Sequence, residues 1–264
     1  MSSRESVGSL CKTKGIVLKS IKLGEADKII TFFTDSQGKI SAVAKGLRRT
    51  KSKFGGRLEP FTYVDLLLYQ GRNLDTITQT EIIDSFSEIR EDLNKIAYGF
   101  SALDLVNKIS VEHEKDRRVF EFLLSSLRTL SKTSVNMDLF LVAFDLKLLS
   151  LSGFLPVLSR CVICDKAVSG FEKIFFSCGN GGLVCEKCVH LDYQRGEIES
   201  NTIFISPQAA DLILILLKAR ADSFNNIEIP EGLKKEVIMI AKKYVNFNIH
   251  AQLKSRDCIN KLKD

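Results

Sequence analysis

Five of the seven cysteines in this 264-residue chain lie in one short segment, CVICDKAVSGFEKIFFSCGNGGLVCEKC. Cysteines grouped in this way can build a catalytic metal site, a structural metal site or a disulfide framework. A chain with 45% hydrophobic residues can bury a core without cross-links, and an odd number of cysteines cannot all pair. The composition therefore favours a metal over disulfides.

The spacing of the cysteines predicts a zinc site. Two pairs of the form Cys-x-x-Cys, Cys161 with Cys164 and Cys185 with Cys188, are separated by 20 residues. Each pair offers two thiolates from one tight turn, and the loop between them lets the pairs meet in a tetrahedron. Four thiolates leave no position for water or substrate, so we expect one structural zinc per chain, in an insertion at about residues 158–192. Cys178 and His190 remain alternative ligands.

Motifs of catalysis are missing from the sequence. It contains no phosphate-binding G-x-x-x-x-G-K-[ST], no H-E-x-x-H, and no H-x-E paired with P-C-x-x-C. The run GNGG at residues 179–182 lies between the cysteine pairs, and we expect it to turn the backbone beside the metal. The chain is therefore interpreted as a protein that is not an enzyme.

No apolar run is long enough to span a membrane, and the start, MSSRESVGSLCKTKG, lacks the apolar core of a secretory signal. We therefore expect a cytoplasmic protein without membrane association. Thiols stay reduced in that compartment, which again favours metal ligands over disulfides.

Positive charge is concentrated in the first third of the chain. The net charge is +6, and residues 1–80 hold 14 Lys and Arg against 7 Asp and Glu, whereas the remainder holds 24 against 25. Such asymmetry indicates a polyanion-binding end, with a solvated basic surface as the alternative.

The basic residues cluster in residues 38–57, which contain no acidic residue. From residue 46 onward this stretch is too polar for a core strand, so it is predicted to be a mobile loop whose cations contact nucleic-acid phosphates. Phe54 either stacks on a base or fixes the loop to the fold. The predicted nucleic-acid-binding residues are Lys39, Lys45, Arg48, Arg49, Lys51, Lys53, Phe54 and Arg57.

Two kinds of secondary structure follow one another along the chain. Five short runs of apolar and β-branched residues, separated by turn signals, predict five strands in residues 1–82. They suit an OB-type barrel, with an SH3-like barrel as the alternative. Residues 83–264 carry helical periodicity and include the cysteine segment. The expected fold is therefore α+β, an N-terminal five-stranded OB-type β-barrel followed by an α-helical domain with a four-cysteine, zinc-ribbon-like insertion.

The sequence also resembles a known family. VAKGLRRTKSKFGGRLEPF, preceded by GIVLKSIKLGEADKIITFFTDSQGKI, is similar to the N-terminal domain of the bacterial RecO family of DNA repair proteins. GGLVCEKC after CVIC is similar to the zinc ribbon in the helical domain of that family. The resemblance runs from about residue 12 to about residue 250, although some members of the family lack the cysteines.

The resemblance implies a mediator of DNA repair and recombination that works without ATP hydrolysis. Such proteins bind single- and double-stranded DNA, anneal complementary strands, bind RecR and the acidic C-terminal tail of single-strand-binding protein (SSB), and assist RecA loading. It also implies a place beside the nucleoid of a bacterial cytoplasm. Two other functions fit the residues: a zinc-dependent hydrolase or deaminase, and a zinc-stabilised adaptor that binds only protein.

Overall fold

The computed structural model describes residues 8–48, 52, 54–132, 136–168, 173–195, 201–219, 229–249, 253 and 255–263. The chain divides into two compact units, one of Met1–Lys132 with Cys258–Asp264 and one of Thr133–Asp257. The predicted boundary after residue 82 lies near the end of the last barrel strand, at Asp84. As a boundary between domains it stays a prediction.

The first unit contains the predicted five-stranded barrel. Its sheet closes in the order β1-β2-β3-β5-β4. β3 runs parallel to β5, whereas the other neighbouring pairs are antiparallel. This is the OB arrangement, which decides against the SH3-like alternative. The strands are β1 Leu10–Leu23, β2 Asp27–Thr34, β3 Gly38–Ala44, β4 Tyr63–Tyr69 and β5 Asp75–Asp84.

Alternation along the strands fills the barrel. In β3, every second residue from Gly38 to Ala44 is buried, as expected where one face of a strand meets the core. Ile30 and Phe32 of β2 point into the same core. Leu47 and Leu58, at the two ends of the segment between β3 and β4, join them, so this segment is anchored at both ends.

Helices cover part of the outer surface of the barrel. α2 begins at the N-cap Asp92, whose carboxylate accepts from two backbone N–H groups of the first turn. A Cβ at Gly99 would lie 2.8 Å from the ring of Phe61, so glycine allows the helix to approach closely. Phe120 of α3 stacks on Phe33, with 6.5 Å between ring centroids. The helices are α1 Ser87–Arg90, α2 Leu93–Ile109 and α3 Arg117–Lys132.

The second unit is helical around a small sheet. α4 is apolar on nearly all sides and contacts both α6 and α7. Ser206 is the predicted N-cap of α6, its hydroxyl accepting from Ala209 N–H, and Pro207 follows in the first turn. The elements are α4 Met137–Leu151, β6 Ile174–Ser177, β7 Gly182–Cys185, α5 Glu186–Arg195, β8 Thr202–Ile205, α6 Pro207–Lys218, α7 Glu231–Ile249 and, crossing into the first unit, α8 Ser255–Lys263.

None of the helices within the described residues combines the length and the apolar character that crossing a membrane requires.

Candidate metal centre and nucleic-acid interface

The first cysteine pair lies in a tight turn before the small sheet. Cys161 N–H donates to the carbonyl of Lys166 at 2.8 Å, and Asp165 N–H donates to the carbonyl of Cys161 at 2.9 Å. Asp165 has a positive φ of 62°, which turns the chain back sharply. The turn therefore presents Cys161 and Cys164 to the same point.

The second pair lies where β7 ends and α5 begins. Cys185 is the last residue of β7, and Cys188 is in the first turn of α5. The turn that leads into β7 contains Gly181 with φ +68°, a conformation that glycine adopts without strain. The predicted role of the GNGG run as a turn beside the metal site is thus confirmed.

The two pairs meet as the spacing predicts. The Sγ atoms of Cys161, Cys164, Cys185 and Cys188 all lie within 4.8 Å of one another. Cys164 Sγ and Cys185 Sγ are 3.8 Å apart. A tetrahedron with zinc–sulfur bonds of about 2.3 Å has sulfur–sulfur edges of about 3.8 Å, so the arrangement fits zinc. Three of the four side chains are buried and Cys164 is exposed.

The surroundings of these thiols shift their pKa values in different directions. Burial acts to raise the pKa of Cys161. Hydrogen bonds from backbone N–H groups of the turn and of Cys185 outweigh this effect, so the pKa of Cys161 is lowered to about 7. Burial raises the pKa of Cys185 and, together with the neighbouring thiols, that of Cys188. Four adjacent thiolates repel each other, so a cation among them is needed for all four to ionise.

The alternative ligands lie outside this group. Cys178 is 2% exposed, just after β6, and is not among the clustered sulfurs. Nε2 of His190 lies 3.9 Å from a carboxylate oxygen of Glu186, on the exposed side of α5. Neither belongs to the four-sulfur group.

The basic segment leaves β3 along the turn between β1 and β2. Arg48 donates from its backbone N–H to the carbonyl of Ala26 at 2.9 Å and from Nη1 to the carbonyl of Gly24 at 3.0 Å. Lys45, Arg48 and Arg57 are exposed. Lys45 and Arg48 thus lie at the end of the barrel near the β1–β2 turn, whereas Arg49, Lys51 and Lys53 lie outside the described residues.

Two predicted DNA-binding residues have other surroundings. The ring of Phe54 is 1% exposed within the barrel core, so it fixes the loop and offers no face to a base. Lys39 is half-buried, and its Nζ donates to the carbonyl of Asn107 at 2.8 Å. Burial lowers the pKa of Lys39 even though Glu112 opposes this shift. Both side chains thus contact other parts of the fold, and their part in DNA binding stays a prediction.

An exposed strip on the outer face of β1 and β2 was not predicted. Lys19, Ile21 and Leu23 alternate along β1 and lie opposite Thr31, Ile29 and Asp27 of β2. Ile21 is 45% exposed and Leu23 is 40% exposed. The alternation of basic and apolar residues in this run, KSIKL, was the available signal. From the sequence, this run is predicted only as part of a strand, with no assignment of its exposed face.

The second unit also contains a cavity of about 480 Å³, between the end of α4, the segment before Cys161 and α6. Its walls are apolar and include Leu155, Leu158, Leu214 and Leu217. Arg160 and Lys218, both exposed, lie at its rim. No acidic residue lines it within the described part of this unit.

Family comparisons cover both units. Residues 9–86 match the family described as Recombination protein O N terminal, and residues 90–257 match Recombination protein O C terminal. The chain belongs to the RecO family. The order of barrel, helices and cysteine pairs is thus that of a RecO-family protein, as the resemblance implied.

Two named RecO relatives match almost end to end, and a third matches over most of its length. The DNA repair protein RecO of Caldanaerobacter subterraneus subsp. tengcongensis is 34% identical over 254 residues, which covers 96% of this chain and 98% of the relative. That of Thermoanaerobacter sp. strain X514 is 35% identical over 256 residues, covering 97% and 99%. That of Bifidobacterium longum strain NCC 2705 is 41% identical over 189 residues, covering 71% and 77%.

Proposed function

We propose that this chain is a mediator of DNA repair and recombination that binds single- and double-stranded DNA, anneals complementary strands and assists RecA loading on SSB-coated DNA. It acts beside the nucleoid of a bacterial cytoplasm and catalyses no bond change. The observation that carries the proposal is the exposed basic end of the OB barrel, where Arg48 joins the loop to the β1–β2 turn. The family membership supports it.

The geometry suits a DNA backbone better than a specific base sequence. OB barrels bind oligonucleotides on the face of strands 2 and 3 and on the flanking loops. Here the end of that face near Phe33 is covered by α3, whereas the end near Ile21 and Leu23 is exposed. Lys19, Lys45 and Arg48 surround the exposed end. These cations can neutralise phosphates, and the apolar strip can contact sugars and base faces.

Two of the proposed partners, RecR and RecA, rest on the family membership alone. The third, the acidic C-terminal tail of SSB, is also supported by the cavity of the second unit. Apolar walls suit a large apolar side chain of the tail, and the cations Arg160 and Lys218 at the rim suit its carboxylates. We therefore propose the cavity as the docking site for this tail.

Salt dependence of DNA binding tests the proposal. Without Lys39, the basic segment offers Lys45, Arg48, Arg49, Lys51, Lys53 and Arg57 as phosphate partners. At about −0.7 per contact on single strands, the logarithmic slope of affinity against salt is expected between about −2 and −4. Changing Arg48, Arg49, Lys51 and Lys53 together to alanine should flatten the slope and weaken binding to all sequences alike.

A matched control removes four charges from the second unit. Lys187, Lys235, Lys242 and Lys243 are exposed there, and their joint replacement by alanine should leave the slope unchanged. Equal slopes for the loop variant and the unaltered protein would place the DNA site elsewhere. Absence of DNA binding at low salt would instead favour the zinc-stabilised adaptor.

A further inference from the structure

One wall of the cavity, the segment before Cys161, is held by the small sheet of β6, β7 and β8. Val157 donates its N–H to the carbonyl of Gly181 at 3.0 Å and accepts from Leu183 N–H at 2.9 Å. Val162 N–H donates to the carbonyl of Leu183 at 2.8 Å. These three bonds fix the segment that contains Leu155, Leu158 and Arg160 to the turn and strand that carry the second cysteine pair.

The opposite wall, formed by α6, is held by contacts with α4 and α7. Lys147 of α4 donates from Nζ to the carbonyl of Ala219 at the end of α6. The start of α6 is tied to α7, because Glu236 accepts from the N–H and the hydroxyl of Ser206. Leu214 and Leu217 of α6 are therefore positioned by contacts of this helix with α4 and α7.

The part of the small sheet that surrounds the sulfurs has little apolar packing of its own. Its strands have four residues each. The core around the sulfurs contains Val184, Val162 and Val189 besides cysteines. Units of this size fold when a metal joins their ligands, and the free energy of metal binding then stabilises the fold.

We propose that the metal state of the four cysteines controls the docking site, so that an acidic, apolar-ended peptide binds when the cluster holds zinc and is released when it does not. This inference rests on the proposed docking of the SSB tail in the cavity. Zinc holds the two cysteine pairs together, the pairs hold β7, and β7 holds the wall at Val157. Loss of the metal removes one wall and leaves the other.

The charges at the rim agree with this ligand. Arg160 is paired with Asp165 at 3.1 Å, and both side chains are well exposed, so the pair can exchange for a carboxylate of the ligand at little cost. Asp165 belongs to the turn of the first cysteine pair. The same turn therefore sets both the metal site and the position of a rim cation.

Peptide binding with and without zinc is the direct test. A fluorescein-labelled acidic peptide that ends in phenylalanine with a free carboxylate is titrated against full-length protein as purified, after chelation, and after return of Zn²⁺. We expect chelation to weaken binding at least about tenfold and Zn²⁺ to restore it, because the peptide loses one wall and one cation. Affinity for single-stranded DNA, measured on the same samples, should stay unchanged.

A second variant displaces the cavity wall while leaving all four cysteines in place. In Gly182→Ala the new Cβ would lie 2.5 Å from the carbonyl oxygen of Val157 and 2.7 Å from a methyl group of Val162, so the wall must shift while all four thiols remain. We expect weaker peptide binding and faster hydrogen exchange over residues 155–162. Gly232→Ala on α7 meets no atom within 4 Å and serves as the matched control.

The outcomes distinguish this inference from the docking proposal beneath it. Equal peptide affinity with and without zinc would overturn metal control and leave docking in place. Absence of peptide binding in both states would overturn the docking proposal and this inference together. A Gly182→Ala protein that keeps zinc and binds the peptide as tightly as the unaltered protein would likewise overturn metal control, because the wall would then not depend on β7, whereas one that keeps zinc and binds the peptide weakly would support it.

Discussion

Lys39 and Lys45 belong to the same basic segment but have different surroundings. Lys39 is half-buried and donates to the carbonyl of Asn107 at 2.8 Å. Lys45 is exposed at the end of β3. The first residue contributes to the fold, and the second is proposed to contact DNA.

Replacement of each lysine by methionine should therefore give opposite results. Lys39→Met leaves a carbonyl without its donor and should lower the free energy of unfolding by about 1–2 kcal/mol, with the salt slope of DNA binding unchanged. Lys45→Met should change stability by less than about 0.5 kcal/mol and reduce the slope by about 0.7. Denaturant unfolding and salt titrations of both variants check this. A lower slope for Lys39→Met would return that residue to the DNA site.

A buried ion pair in the second unit sets a dependence of stability on pH. Asp145 of α4 and Arg256 of α8 are 2.6 Å apart and nearly inaccessible to water. Burial raises the pKa of Asp145 from 3.8 to about 6, against the opposing effect of Arg256. Between these two pKa values, Asp145 is therefore protonated in the folded protein and ionised in the unfolded chain.

The sign of the effect follows from that proton. Stability contributed by protonated Asp145 is present below pH 3.8 and is lost as the pH rises through about 6. The loss is on the order of 3 kcal/mol at most, at about 1.4 kcal/mol per pKa unit. Asp145→Asn should remove this decline, which thermal unfolding between pH 4 and pH 7 (about the span of the two pKa values) would measure. An unaltered decline in the variant would assign it to other carboxyl groups.

At the scale of elements, the cysteine pairs form a unit that a single ligand change should disrupt. Cys164→Ser removes one of four thiolates and should lower zinc content below about one per chain, with a lower melting temperature. Cys178→Ser, also inside the insertion but outside the sulfur cluster, should keep zinc content unchanged. Metal analysis and thermal unfolding of the two variants decide this. Loss of zinc from Cys178→Ser would bring that residue into the ligand set.

Elements with strong local signals were predictable from the sequence. The barrel strands alternate apolar and polar residues, and Ser206 followed by Pro207 marks the start of α6. The cysteine spacing likewise specified the four clustered sulfurs. In each case the signal lies within a few residues of the element it specifies.

Features that depend on distant contacts were not predictable. β8 has four residues and pairs with β6 across 25 or more positions, so its pairing could not be recognised from the local sequence. The partner of Lys39 comes from α2, 68 residues away. Phe54 lies in a polar loop, yet its ring is buried because the loop folds over the barrel core. Burial of these residues is set by tertiary structure.

At the scale of the whole molecule, charge and metal are separated along the chain. Residues 1–80 carry 14 basic and 7 acidic residues, and the cysteine pairs lie between positions 161 and 188. Each compact unit thus offers a different kind of contact, a basic surface on the barrel and an apolar cavity with a basic rim in the second unit. The proposed mediator requires both.

The final prediction tests both units in one reaction. Annealing requires that phosphate repulsion be overcome while base edges stay free to pair, and a basic barrel that contacts the backbone meets that requirement. We expect annealing of complementary strands without ATP, because the sequence has no nucleotide-binding loop. We also expect annealing of SSB-coated strands, lost when the SSB tail is removed and reduced by Lys218→Glu at the cavity rim.

Rates with tailed and tailless SSB at matched coverage are the decisive comparison, and Lys242→Glu on α7 provides a control of equal charge change at an exposed position outside the cavity lining. Lys218→Glu should slow annealing of coated strands and leave bare strands unaffected, because only the coated reaction uses the cavity. Equal rates with both forms of SSB would remove the docking step. Absence of annealing on bare strands would remove the mediator function itself.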